Sequence, residues 1–365
     1  MNLSSWTKGR VDEFFVLQRG FDITEAAARE GNIPVISSSG FSYFHSEAKV
    51  SGPGVVTGRK GRVGPVYYIE EDHWPHDTTL WVKDFKGNLP KYIYYFLQSI
   101  KLERYNEALA VPTLNRNNVH AIKCAFPPLK EQEKIVNAFS LWDNAIEKTE
   151  ALIAAKEKQF EWLLGTLLSD GKKKKLDELF GNQLIIEKGK AISKSSVLNG
   201  NIPVVAGGQS YAYYHSSFTH QKPTITVSAS GAYAGYLWLH HYPIWASDCN
   251  VIFTKTENID YIYYALKHQQ NKIYSLQSGG AQPHIYAKDL KNICIALPPL
   301  QIQTETADRL NLAQKEISLL KKTLEQYRSQ KRGLMQKLLT GEWQVGSSQH
   351  LSEETCQELS KESVA

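Results

Sequence analysis

The four cysteines, Cys124, Cys249, Cys294 and Cys356, stand far apart and form no C-x-x-C pair. That spacing excludes a zinc knuckle and a disulfide framework as organising elements. No run approaches the roughly 18 to 20 apolar residues that cross a bilayer. The polar stretch Met1 to Arg10 has no apolar segment after its basic residues, unlike a secretory signal. These absences point to a cytoplasmic protein. A G-x-x-x-x-G-K-[ST] phosphate loop, an H-E-x-x-H metal helix and a G-x-S-x-G nucleophile turn are all missing. His240-His241 is the only adjacent histidine pair, and on a strand its two rings would point to opposite faces. The sequence therefore predicts no catalytic residues, no cofactor and no metal site.

What is present is ordinary in bulk. Hydrophobic residues make 42% and charged residues 22% of 365, the balance of a globular chain long enough for two or three domains. The net charge of +5 permits a nucleic-acid partner without demanding one.

The chain repeats itself at an offset of about 170 residues. Gly31-Asn32-Ile33-Pro34-Val35 returns as Gly200-Asn201-Ile202-Pro203-Val204, and Tyr43-Phe44-His45 as Tyr213-Tyr214-His215. Tyr92-Ile93-Tyr94-Tyr95 recurs unchanged as Tyr261 to Tyr264, and Pro127-Pro128-Leu129 as Pro298-Pro299-Leu300. Gly61 aligns with Gly231 and Asp77 with Asp248. A solenoid repeat is far shorter, so each copy is expected to be a domain with its own core.

Each copy changes texture part-way. Residues 1–126 and 172–297 are rich in Gly, Pro, Ser, Tyr and β-branched runs such as Gly54 to Thr57, Val63 to Ile69 and Thr224 to Val227, which predicts short strands joined by turns. Helical stretches follow at Pro90 to Leu102 and Ile259 to Gln269. Residues 127–171 and 298–343 begin at a Pro-Pro pair, then lack proline and are dense in Lys, Glu, Gln, Leu and Ala, which predicts one long helix in each. Residues 344–365 form a Ser/Glu-rich tail that does not extend the pattern, as a disordered segment would. The run Lys172 to Lys175 reads as a solvated linker.

Both helices carry a 4-3-4-3 seam. In the first it runs Ile135, Phe139, Trp142, Ile146, Thr149, Ile153, Lys156, Phe160, Leu163, Leu167. In the second the same positions are Thr306, Leu310, Ala313, Ile317, Leu320, Leu324, Tyr327, Lys331, Leu334, Leu338. The fold class expected is α+β: two homologous strand-rich domains joined and spaced by two long helices in an antiparallel coiled coil, with pseudo-twofold symmetry. Flush ends would set Phe160 against Ala313 and Trp142 against Lys331, large against small or flexible. The alternative is that each helix packs only on its own domain.

Two strand-rich modules, each closed by Phe126-Pro127-Pro128-Leu129-Lys130-Glu131-Gln132 or Leu297-Pro298-Pro299-Leu300-Gln301-Ile302-Gln303 and a heptad helix ending in a Leu-Leu pair, resemble the specificity subunit of type I restriction-modification enzymes. Gly58-Arg59-Lys60-Gly61-Arg62-Val63-Gly64, Ile225 to Gly231 and Gly279-Gly280-Ala281-Gln282-Pro283 add to the likeness, which covers residues 1 to about 345. The resemblance implies that each module is a target recognition domain for half of a bipartite double-stranded DNA site. It also implies that the helices set the spacer and dock two methyltransferase subunits. Methylation, ATP hydrolysis and cleavage would belong to those methyltransferase and to restriction subunits, and this chain would not be an enzyme. The competing reading is a coiled-coil adaptor with two protein-binding modules.

Three stretches per copy are candidates for DNA contact. Arg59, Lys60 and Arg62 lie among glycines that let a backbone approach phosphate, and arginine can bond guanine bidentately. The same pattern suits a plain solvated turn. Its counterpart offers Ser228 and Ser230 with no basic residue, as two readers of different half-sites would. The second stretch holds Ser37, Ser38, Ser39 and Tyr43, matched by Gln209, Ser210 and Tyr211. The third holds Arg116, matched by Gln282 and His284, where packing between module and helix is an equal possibility.

Overall fold

The computed structural model describes residues 5–106, 110–169, 173–179, 183–196, 198–280 and 282–345. The chain forms two compact units: residues up to Lys148 with those from Leu324 onward, and Thr149–Thr323.

The first unit opens with β1 (Thr7–Arg10), α1 (Val11–Phe14) and β2 (Val16–Arg19), then β3 (Ile33–Ser37), β4 (Gly40–His45), β5 (Gly54–Gly58), β6 (Val66–Ile69), β7 (Trp74–Pro75) and β8 (Thr79–Asp84). Helices α2 (Pro90–Ser99) and α3 (Arg116–His120) precede β9 (Lys123–Phe126) and α4 (Leu129–Ser169). The main sheet runs β2-β8-β5-β6, a smaller one β4-β3-β7, and β1 pairs with β9. Every residue of β5 is buried, as a strand flanked on both sides with Val55 and Val56 inside requires. Proline at the start of α2 supplies the helical φ where no N–H is needed. Tyr92, Ile93, Phe96 and Leu97 of α2 share a core with Phe14, Phe15, Leu17, Val55, Leu80 and Phe126.

The second unit repeats this strand for strand. It comprises β10 (Lys173–Lys175), α5 (Leu176–Leu179), β11 (Leu184–Lys188), β12 (Ile202–Val205), β13 (Tyr213–His215), β14 (Thr224–Ser228), β15 (Leu237–His240), β16 (Trp245–Ala246) and β17 (Cys249–Thr254). Then come α6 (Ile259–His268), α7 (Gln270–Tyr274), α8 (Ala287–Leu290), β18 (Cys294–Ala296) and α9 (Leu300–Leu338). Its sheets run β11-β17-β14-β15, β13-β12-β16 and β10-β18, each the image of its counterpart nine strands earlier. Helix α6 starts on Asn258, whose side chain accepts from the Asp260 and Tyr261 N–H groups at 3.0 Å each.

The Lys172 to Lys175 stretch is not a linker. Lys173–Lys175 is strand β10, antiparallel to β18, because it fills the place that Thr7–Arg10 fills against β9. Lys172 and the tail 346–365 lie outside the described residues.

Both long helices contribute to both units, and the seam holds in each: none of its twenty positions is exposed. In the first unit Ile135 and Phe139 share the core with Leu334 and Leu338, while Trp142 meets the Tyr327 ring edge-on at 5.7 Å. Lys331 forms an ion pair with Asp143 and lies 5.3 Å over the Tyr95 ring. The tryptophan thus faces tyrosine, and the lysine turns to a carboxylate that can satisfy its charge. In the second unit Phe160 packs in one cluster with Leu310, Ala313 and Ile317, and Lys156–Glu316 and Lys321–Glu157 pair at 2.8 and 2.7 Å. The pairing is antiparallel. Leu164, Leu168, Met335 and Leu339 are buried more deeply than the seam leucines Leu163, Leu167 and Leu334, because at those ends the helix also packs on the domain core.

The repeated Pro-Pro-Leu-x-x-Gln segment ties helix to domain. The buried Gln132 accepts from Leu89 N at 3.0 Å and donates to Asn88 Oδ1 and Pro127 O at 2.7 and 2.9 Å. Gln303 accepts from Asn258 N at 3.1 Å and donates to Glu257 Oε2 and Pro298 O at 2.6 and 2.8 Å. Each glutamine thereby holds the start of α2 or α6 against the start of a long helix.

Candidate DNA interface

In the first unit the three candidate stretches converge at the end of β5. The Arg59 and Lys60 N–H groups donate to Thr78 O at 2.8 and 3.0 Å, and Ser38 N donates to Thr78 Oγ1 at 3.2 Å. Gly61 N donates to Pro112 O at 2.9 Å, and Leu114 N to Arg59 O at 2.7 Å. Gly61 turns with φ +82°, a conformation that disfavours any side chain with a Cβ.

The second unit makes three of these four backbone bonds at matching positions, with Asp248 in the place of Thr78 rather than of Asp77. Gly231, also at φ +82°, donates its N–H to Pro283 O at 3.0 Å, and Ile285 N donates to Ala229 O at 2.9 Å. Ala229 N donates to Asp248 O at 3.2 Å, and the Ser228 hydroxyl reaches Gly207 O at 3.0 Å. The framework is retained while the side chains on it change: Arg59, Lys60 and Arg62 give way to Ala229, Ser230 and Ala232.

Lys60 and Arg62 are exposed, and neither makes an ion pair among the described residues. Arg59 is half-buried and its Nη1 donates to Asp77 O at 3.1 Å, leaving its fork partly committed to the loop. Arg116 is exposed in the first turn of α3. Ser37 braces the hairpin by donating to Gly40 O at 3.1 Å, Ser38 is buried with its carbonyl accepting from Tyr67 OH at 3.2 Å, and Ser39 is exposed at the tip. Tyr43 turns back into the unit, donating to Ile23 O at 3.3 Å, and burial raises its pKa, with Glu25 adding to the effect.

In the second unit Gln209, Ser210 and Gln282 are exposed and His284 is half-buried. Ser228 is buried and spends its hydroxyl on the Gly207 and Ser230 carbonyls, while Ser230 donates to the Asp248 carboxylate. Those two hydroxyls hold the loop together. The Tyr211 ring stacks on Trp238 with centroids 4.7 Å apart, and its hydroxyl bonds Tyr242 OH.

Sequence reasoning passed over Asp77, Thr78 and Asp248 as the hubs of these loops, where their carbonyls accept most of the bonds and the Thr78 hydroxyl and Asp248 carboxylate accept the rest. It also passed over Phe41 and Phe44. A register shift in the β3–β4 ladder sets Val35 opposite Tyr43 but Ile36 opposite Phe41, so Ser42 is an extra residue. An extra residue inverts the alternation of faces, and brings the Phe41 and Phe44 rings to 4.8 Å on one exposed side.

A family model described as the type I restriction modification DNA specificity domain matches residues 4–156 and 169–327. The chain belongs to the type I restriction-modification DNA specificity family. It is a DNA specificity subunit with two recognition domains, a recognition component rather than a catalyst, and it acts with DNA and the other subunits of a restriction-modification complex. A Mycoplasma pneumoniae protein named as a type I specificity subunit, S.MpnORF507P, is 24% identical over 348 residues, covering 87% of this chain and 95% of its own. The Methanocaldococcus jannaschii protein named as the type I restriction enzyme MjaX specificity subunit is 24% identical and covers 70% and 68% of the two chains. The crystal structure of a type I restriction-modification S subunit from M. genitalium shares the fold, with a TM-score of 0.70 at 19% identity over 92% of this chain and 96% of that one. No helix of the described residues is long and apolar enough to cross a membrane.

Proposed function

We propose that each unit of this specificity subunit reads one half of a bipartite DNA target through its own loop cluster. The paired helices fix the unread spacer and dock two methyltransferase subunits, with restriction subunits as further partners, in the cytoplasm. One observation supports the division of labour most directly: the two clusters keep the same glycine turn and three matching backbone bonds but carry different side chains. A shared frame with different functional groups is what distinct half-sites require, since sequence is read by side chains at base edges. Arg59, Lys60, Arg62, Arg116 and Ser39 face the task in one unit, and Gln209, Ser210, Gln282 and His284 in the other.

The test is methylation mapping by single-molecule sequencing in cells carrying the assembled complex. Exchanging residues 1–126 for those of another specificity subunit should change one half of the methylated site and leave the other intact; a change in both halves refutes the division. Removing one heptad from both long helices should shorten the spacer, and an unchanged spacer refutes the ruler.

A further inference from the structure

Phe41 and Phe44 are 56% and 53% exposed, and the bulge brings their rings together at a tilt of 55°. A water-facing phenylalanine pair on an edge strand is costly unless a partner covers it. The repeat supplies an independent instance: Tyr211 and Tyr214 take the equivalent positions, with rings 6.0 Å apart and Tyr214 54% exposed. In each unit the aromatic pair adjoins the candidate loop cluster. Gly40, which precedes Phe41, closes the Ser37–Gly40 hairpin turn, and the Ser38 hydroxyl of that turn lies beside Gly61 of the Arg59–Arg62 loop. The patch is thus apolar, with its two rings tilted by 55°, and the turn that precedes it lies against the loop that carries the exposed cations Lys60 and Arg62. That combination suits the stacked bases and flanking phosphates of a duplex better than a mainly apolar protein surface.

Building on the recognition reading above, we propose that Phe41 and Phe44, and Tyr214 in the second unit, form apolar wedges that open a base step at the edge of each half-site. The bulge at Ser42 sets both rings on the side that meets DNA. The wedge makes the sequence of the opened step part of the target through its ease of unstacking, with no base-edge hydrogen bond.

The experiment uses the complex of the full chain with its methyltransferase subunits and a duplex of the mapped target, with 2-aminopurine placed in turn at each adenine. The native complex should raise the fluorescence at one step in each half-site. Phe41→Ala/Phe44→Ala should abolish the rise in the first half-site alone and weaken binding on the order of tenfold or more, with an unchanged salt slope. Phe41→Tyr/Phe44→Tyr should retain both, and Tyr214→Ala should silence the second half-site alone. Because these rings are exposed, the thermal midpoint should stay put. Tight specific binding without any fluorescence rise, or an alanine variant that binds and fluoresces as the native complex does, overturns the wedge. So does a variant that loses its methyltransferase subunits, which would make the patch a protein contact. A native complex that binds no duplex overturns the recognition reading as well.

Discussion

Gln132 and Gln303 occupy the same place in the two units and bond the same two kinds of group, the N-terminal backbone of a domain helix and a proline carbonyl. Both are 1% exposed, while the groups they bond at the helix starts are half-buried. Gln132→Ala should lower stability by about 1–3 kcal/mol, the cost of leaving buried polar groups unmade. Gln303→Ala should cost more, because it removes a donor from the charged Glu257 carboxylate, which accepts at 2.6 Å. Calorimetric unfolding of the two variants checks both the size and the order.

Asp143 joins a second, half-buried set of polar groups. It accepts from Tyr95 OH at 2.6 Å and pairs with Lys331, and burial together with this carboxylate raises the Tyr95 pKa. Asp143→Ala should destabilise by about 1–2 kcal/mol, less than a fully buried pair because the Asp143 side chain keeps contact with water. Adding Lys331→Met should recover part of the loss, since an apolar side chain then occupies the seam. Strictly additive losses in denaturant unfolding would show that the two residues act independently.

His240 should make the second unit acid-sensitive. Its ring is buried against Thr226 Oγ1, and burial, reinforced by His241, lowers its pKa to about 4 from 6.5. As the pH falls below 6.5 the unfolded chain takes up the proton first, so stability is complete above that value and declines down to about 4. The loss is on the order of 3 kcal/mol. His240→Gln keeps a partner for Thr226 and cannot titrate, so its denaturation midpoint should change less over this window.

Lys60 and Arg62 should govern salt dependence rather than fold. Replacing both with alanine should reduce the slope of log affinity against log salt by about 2, one for each phosphate that is no longer neutralised. Thermal stability should be unaffected, as both side chains are exposed. Ser230→Ala, in the loop of the second unit without basic residues, should leave the slope where it is and lower stability by releasing Asp248.

The duplication and the seam were legible because both are carried by residue identity at fixed spacing. Sheet order was not: β7 is two residues long and pairs in parallel with β3, and no periodicity marks so short a strand. The three candidate stretches were chosen by composition, and their meeting rests on backbone bonds such as Gly61 N to Pro112 O, which no side chain announces. Tyr43 was a candidate as part of the polar stretch that follows the repeated Gly-Asn-Ile-Pro-Val strand. The single extra residue at Ser42 decides otherwise, turning Phe41 and Phe44 outward and leaving Tyr43 tied to Ile23. The Lys173–Lys175 strand was hidden by its charge, for it is defined by pairing with β18 rather than by any apolar pattern.

Leu334, Met335, Leu338 and Leu339 belong to the same core as Phe15, Leu17 and Tyr92, although more than two hundred residues of chain separate them. As the protein emerges from the ribosome, its amino-terminal unit therefore waits, with that core partly uncovered, until nearly all of the remaining chain has been synthesised. The unit made first is the last to close, and during that interval its exposed leucine-binding face is where chaperone capture or misassembly with a neighbouring nascent chain would begin.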